Sequence, residues 1–188
     1  SRLNRAAPGQ LFRENIHMNP ATWFGGMGVV AAGAKVLKLT ADETQNALSI
    51  AASHCCGIGK QSGYDAHFIE SGHTSRSGLM SAILAKAGAT GDPNKLDDPK
   101  ALYGPVFFEG QVNLDIITAN LGKPPWSIHQ AQVKKYSACI LSHSSVDALT
   151  LLVKENSILY DDVEQVETAV SKSARNSVDR YLPVALLA

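Results

Sequence analysis

Thr22-Trp23-Phe24-Gly25-Gly26-Met27-Gly28-Val29-Val30-Ala31-Ala32-Gly33-Ala34-Lys35-Val36-Leu37-Lys38 carries no charge before Lys35. It is too long for a typical strand and reads as a helix. A helix apolar on every side is a buried one. Its glycines each cost about 1 kcal/mol of helix propensity relative to Ala. They are tolerable where another helix or a ligand approaches closely. The run is also too short and too glycine-rich for a membrane span. Leu39-Thr40-Ala41-Asp42-Glu43 follows, with Thr40 and Glu43 spaced as a capping box. It opens a second helix through Ala47, Leu48, Ala51, Ala52 and Cys55, which Gly57 can end. Gly57 to Asp65 reads as a loop. A third helix is expected from about Gly72 to Lys86, with Leu79, Ile83 and Ala87 on one face and Gly88 as its stop.

Further along, Gly91 to Gly110 is loop-like, with Asp92-Pro93 and Asp98-Pro99. Asn113 to Leu121 is expected to form a short helix. Gly122-Lys123-Pro124-Pro125 is the strongest linker signal, and the texture changes after it. Trp126 to Tyr136 reads as extended. Ser142 to Glu155 reads as an amphipathic helix through Val146, Leu149, Leu152 and Val153. Val163 to Val170 alternates as a strand does. The expectation is an α+β chain, mostly α: a helical core domain over residues 1–123, then the start of a smaller α+β lid domain over 124–188.

At 188 residues the chain can bury a core without staples. Charged residues are 18% and apolar residues 45%, which excludes a disordered chain and suggests surface covered by other protein. Lys+Arg 17 against Asp+Glu 17 cancels the net charge, which disfavours nucleic acid. An anionic ligand then needs a local cluster of cations. Three cysteines, of which Cys55 and Cys56 are adjacent, are poor disulfide material and point to a reducing, cytoplasmic compartment. The chain has no signal-peptide layout and no starting Met, and Tyr181 to Ala188 reads as a helix cut short. It is therefore expected to be an incomplete folding unit. Leaving one face of the apolar helix wet would cost several kcal/mol at about 25 cal/mol per Å², so burial against another chain or segment is expected.

The chemistry must come from histidines, carboxylates and cations. No metal site is expected, because His67 and His73 lie six apart with no zinc spacing. Gly25, Gly26 and Gly28 lie inside an apolar helix instead of following a strand, which disfavours a dinucleotide. Three segments remain. Asn19-Pro20-Ala21-Thr22 precedes the glycine-rich helix. Tyr64 to Gly78 packs His67, Glu70, His73 and Arg76 into ten residues, though a solvated loop and cap would look the same. Lys134-Lys135-Tyr136 leads to Cys139, His143 and Asp147, where a cationic turn meets a helix. There His143 and Asp147, spaced i, i+4, could simply pair.

In order along the chain these segments resemble the MmgE/PrpD family, which includes 2-methylcitrate dehydratase, cis-aconitate decarboxylase and iminodisuccinate epimerase. Asn19 to Gly28 follows that family's H-P-T-x-x-F-G-x-x-G. Ala66 to Gly78 follows T-K-P-L-H-A-G-x-A-A-x-x-G. Lys134, Tyr136, Cys139, His143 and Asp147 follow K-x-Y-P-x-C-x-x-x-H-x-x-x-D. Val178 to Pro183 is similar to A-D-H-S-L-P. The family's His before Pro is Asn19 here, its Lys aligns with His67, its next His with Glu70, and its late His with Arg180. Family proteins are about twice as long or more, so the chain resembles their middle.

The resemblance implies a cofactor-independent lyase, a dehydratase or decarboxylase. It would act on a small di- or tricarboxylate by proton abstraction beside a carboxylate, in a homodimer built through the helical domain or with a partner chain supplying further segments. In that reading His67, Glu70 and Lys134 are catalytic, and Asn19, Thr22, His73, Tyr136 and Arg180 bind substrate. Two alternatives use the same residues: an isomerase or epimerase, or a catalytically degenerate relative that only binds.

Overall fold

The computed structural model describes residues 19–54, 56–58, 61, 63–95, 113, 115–172 and 174–175. Arg180, the Val178 to Pro183 motif, the terminal apolar run and Cys55 lie outside the described residues. The chain divides into two compact units, Ser1–Ser127 and Ile128–Ala188.

Among the described residues the core of the first unit is built by three helices: α1 (Pro20–Leu37), α2 (Ala41–His54) and α3 (Asp65–Lys86). Asn19 caps α1, its Oδ1 accepting the Ala21 N–H at 3.1 Å, and Pro20 takes a first-turn position where no amide is needed. Lys38 ends α1 in the left-handed region at φ 54, and the Leu39 N–H reaches back to the Ala34 carbonyl at 2.9 Å. The capping box opens α2 as expected. Glu43 Oε2 accepts from the Thr40 N–H at 2.7 Å, and Thr40 Oγ1 accepts from the Glu43 N–H at 3.2 Å. Trp23, Met27 and Val30 of α1, Ala47 and Ala51 of α2, and Ala82 and Ala85 of α3 form the core.

Helix α3 starts at Asp65, well before the expected Gly72. Ser71 and Gly72 weaken the local helix signal at this point, since serine usually competes with the helical backbone. Here the hydroxyls bond back along the helix, Ser71 Oγ to the His67 carbonyl at 3.3 Å and Ser75 Oγ to the Ser71 carbonyl at 2.9 Å. His67, Glu70 and His73 therefore sit on a helix.

Helix α3 turns a small face inward. Thr74, Gly78, Ser81, Ala82 and Ala85 are buried, while Leu79 is 46% and Ile83 45% exposed. The cause is its approach to α1. A Cβ on Gly78 would stand 2.6 Å from the Gly26 carbonyl oxygen and 3.0 Å from Val29 Cβ. A Cβ on Gly33 would stand 3.2 Å from that of Ala82. Only small residues fit this crossing, so the larger ones face away. Among the described residues α1 is not covered on all sides. Gly25, Gly28, Ala31 and Ala32 form an exposed stripe, which is cheap because they carry a hydrogen or a methyl.

Beyond the core come a short helix, α4 (Asp115–Thr118), then helix α5 (His143–Asn156) and 3-10 turns at Ser127–Gln130, Ile140–Ser142 and Tyr160–Asp162. Two expectations fail here. Trp126 to Tyr136 contains the 3-10 turn at Ser127–Gln130. Val163 to Val170 is exposed and irregular, and no β-strand forms among the described residues. Alternation alone does not make a strand, because its N–H and C=O groups need a neighbour to pair with. The mostly helical part of the expected fold class is present, and the α+β character of the lid is not seen.

Paired substitutions test the crossing. Gly78→Ala must push α1 and α3 apart, and is expected to lower stability by about 1–3 kcal/mol. Gly72→Ala, with nothing within 4 Å of its Cβ, is expected to raise it by about 0.5–1 kcal/mol. Urea midpoints of the two variants should move in opposite directions.

Candidate functional site

The start of α1, the loop at residues 56–58 and the first turns of α3 are tied together by named bonds. The Asn19 N–H donates to the Gly57 carbonyl at 3.1 Å. The Ile58 N–H donates to Glu70 Oε1 at 2.9 Å, and Thr74 Oγ1 donates to the Cys56 carbonyl at 3.4 Å. Gly57 is required at the centre. Its φ is +136, and a Cβ there would lie 2.1 Å from Thr22 Oγ1. Thr22 is buried, and its hydroxyl donates to the Asn19 carbonyl at 2.9 Å.

His67 stands at the middle of this knot. Its Nδ1 lies 3.4 Å from Asn19 Nδ2 and 3.8 Å from Glu70 Oε2. The His67 side chain is 34% exposed and that of Glu70 14%. Glu70 Oε2 is buried and has no hydrogen-bond partner. Spacing i, i+3 puts His67 and Glu70 on one face of α3. His73, six residues on, is turned away by about 120° around the helix and is exposed. The structure thus brings together Asn19, Thr22, His67 and Glu70, and leaves His73 apart. A cavity of about 410 Å³ lies elsewhere, against Thr40, Thr44, Gln45, Asp92 and Pro93.

The second unit holds a cluster of its own. Asp147 on α5 accepts from both Lys135 Nζ and Tyr136 Oη, the latter at 2.5 Å. The Lys135 hydrogen bond, followed by that of Tyr136, holds the Asp147 carboxyl below the usual carboxylate range. The same pairing with Asp147 pushes the Lys135 ammonium up. The Tyr136 ring meets His143 edge-on at 5.1 Å, and His143 is buried with Nε2 unpartnered. The simple His143–Asp147 pair is therefore replaced. Asp147 is bonded to the turn before the helix, and His143 packs on tyrosine. Lys134 is exposed, and its neighbour Lys135 is the lysine that is bonded. Two adjacent lysines cannot be told apart by spacing, so this partner was not legible in the sequence.

Among the described residues no group of three or more His, Cys, Asp or Glu side chains could hold a metal ion. Cys56 and Cys139 are free thiols. No helix among the described residues is long and apolar enough to cross a membrane.

The MmgE/PrpD N-terminal domain family matches residues 2–115, which hold all three core helices and the His67 knot. The chain belongs to the MmgE/PrpD family. It is 27% identical over 154 residues to a cis-aconitate decarboxylase of Aspergillus terreus, covering 79% of this chain and 31% of that protein. It is also 27% identical over 149 residues to the cis-aconitate decarboxylase-like protein oryM of Aspergillus oryzae, covering 76% of this chain and 30% of that one. The chain thus spans under a third of the length of these relatives.

Gly57→Ala combines a disfavoured backbone conformation with a clash against Thr22, and is expected to cost about 2–4 kcal/mol. Urea denaturation measures this, and the Asn19 amide signal should shift with it. In the second unit the Asp147 links contribute above the usual carboxylate range. They are lost as pH falls through the depressed Asp147 value. The raised Lys135 sets the other limit, lost only as pH climbs through its own elevated value. Following the Tyr136 ring protons from about pH 7 to about pH 2 should show one step below the ordinary Asp range. Asp147→Asn should abolish it.

Proposed function

We propose that this chain is part of a cofactor-independent lyase that removes water or CO2 from a small di- or tricarboxylate, with His67 and Glu70 handling the proton. The single observation that carries this is the half-exposed imidazole of His67 beside a carboxylate whose second oxygen is buried and unpartnered. An imidazole can take up and return a proton near neutral pH. Family membership and the decarboxylase relatives support the reaction class. Abstraction next to a carboxylate breaks a C–H bond and leaves its electron pair delocalised into that carboxylate. In a dehydration that pair forms the new C=C bond as the β-hydroxyl, protonated by an acid, leaves as water; in a decarboxylation the C–CO2 bond breaks instead and its electron pair takes up a proton; reprotonation of the abstracted position would give an isomerase.

In this reading Lys134 is catalytic beside the substrate carboxylate, and Tyr136 and Arg180 bind substrate, as the family resemblance implies, while His73, turned away from His67 and Glu70, drops out of that set. Asn19 and Thr22 line the His67 side. The assembly is a homodimer or includes a partner chain, in a reducing cytoplasmic compartment that suits the free thiols of Cys56 and Cys139. One observation favours a second reading, a relative that binds without turnover. Asn19 replaces a family histidine and spends its side-chain oxygen on capping α1, so it cannot carry a proton.

Solvent exchange separates the two. The protein is incubated in D2O with cis-aconitate, citrate-like and succinate-like acids and followed by proton NMR. Deuterium should enter next to a carboxylate, and His67→Ala should slow this by roughly 10²–10⁴-fold. Binding with no exchange and no turnover across the panel would replace the lyase by the binding subunit.

A further inference from the structure

We propose that Glu70 is the positioning residue of His67: it holds the neutral ring with its proton on Nδ1, leaving Nε2 as the bare nitrogen that receives the substrate proton. This rests on the reading of His67 as the proton acceptor, though the ring's tautomer can be measured without it.

Nδ1 has two competing neighbours. Asn19 Oδ1 is committed to the Ala21 N–H, which fixes the side-chain amide and leaves Nδ2 as the atom facing His67, 3.4 Å from Nδ1. A bare Nδ1 would accept that long, neutral bond. Glu70 Oε2, 3.8 Å away, would then face a lone pair while buried without any donor. A proton on Nδ1 reverses this. It gives Oε2 a charge-assisted bond after a small closure of the ring toward the carboxylate, and the amide loses only a weak contact. Leaving a buried carboxylate oxygen unmet costs more than leaving a neutral amide N–H unmet, and the charge-assisted bond is the stronger one. Glu70 therefore sets the tautomer. When the substrate C–H breaks, its electron pair stays in the substrate carboxylate system. The proton goes to Nε2, and Glu70 faces the resulting imidazolium through Nδ1–H.

The anchoring of Glu70 makes the test sharp. The Ile58 N–H needs an acceptor and takes Oε1 at 2.9 Å. In Glu70→Gln the amide oxygen must occupy that position, so the NH2 group replaces Oε2. Two NH2 groups then face Nδ1, which is forced to be bare, and the proton moves to Nε2. The loop bond to Ile58 survives, so the fold is kept. Asn19→Ser keeps an oxygen for capping and removes the competing donor.

Histidine-selective 15N NMR of the whole chain, at a pH where imidazoles are neutral, reads the tautomer directly, with His67→Gln assigning the signal. The expected result is Nδ1–H in the wild type and in Asn19→Ser, and Nε2–H in Glu70→Gln. Deuterium exchange into substrate should fall in Glu70→Gln by roughly 10²–10⁴-fold, as a base in the wrong tautomer would give. Nε2–H in the wild type, or an unchanged ring in Glu70→Gln, overturns the proposal. The expected tautomers with no exchange on any acid would remove the lyase reading and leave the Glu70–His67 pairing standing. Exchange with the proton on Nε2 would do the reverse.

Discussion

Helices α1 and α3 cross so closely that the Gly26 carbonyl occupies the space a side chain on Gly78 would need. Much of the first unit follows from that contact. The residues that α3 buries are glycine, alanine, serine and threonine, because the approach to α1 leaves no room on that face for larger ones. Val30 and Ser81 are the largest side chains that are fully buried. The larger apolar residues of α3 are displaced outward, so Met80, Ile83 and Leu84 stand partly in solvent. The crossing also sets where the start of α3 lies. With Gly78 held against Gly26, the helix turns that carry Glu70 and His67 come level with the cap of α1.

The site depends on a second constraint placed on top of the first. Asn19 acts through three groups at once. Its backbone N–H is bonded to Gly57, its carbonyl accepts from Thr22 and Trp23, and its side-chain oxygen caps the helix. Little freedom remains in it, so its amide nitrogen is delivered to His67 as a fixed donor. Glu70 is held in the same manner by Ile58. Both neighbours of His67 are thus clamped through their oxygens to backbone amides, with the imidazole between them. Fixed surroundings around one protonatable ring are what proton transfer requires, since the reorganisation is then small.

The sequence makes the first two helices readable because their signals are local. Charge-free apolar text, a proline at the first turn and the Thr40–Glu43 box each act within four residues. Helix α3 starts seven residues before the expected Gly72, where Ser71 bonds back to the His67 carbonyl along the helix and not in a turn. Its orientation was unreadable from periodicity, which favours burying Leu79 and Ile83. The crossing with α1 decides otherwise, and that is a contact between distant residues. The strand expected at Val163 to Val170 failed for the same kind of reason, since pairing lies outside the segment. At the site, residue types and register pointed to Asn19, His67 and Glu70. Nothing local announced that Gly57 would hold Thr22 and Asn19, for glycine after a helix reads as an ordinary stop. Nor could spacing choose Lys135 over Lys134 as the partner of Asp147.

The departures from the family pattern bear on what the site does. Three of them, Asn19 for histidine, His67 for lysine and Glu70 for histidine, are far apart in sequence, at 19 against 67 and 70. In the structure they are adjacent, within 3.4 and 3.8 Å through the His67 ring. Independent decay of a site would replace charged groups with whatever is tolerated locally, and would have no reason to build a new donor–acceptor set. Here an amide that cannot carry a proton faces a ring that can, and the ring has gained a carboxylate beside it. The three residues at these positions thus form one contact set around the His67 ring, and it is this contact that supports the proposed role of His67 and Glu70.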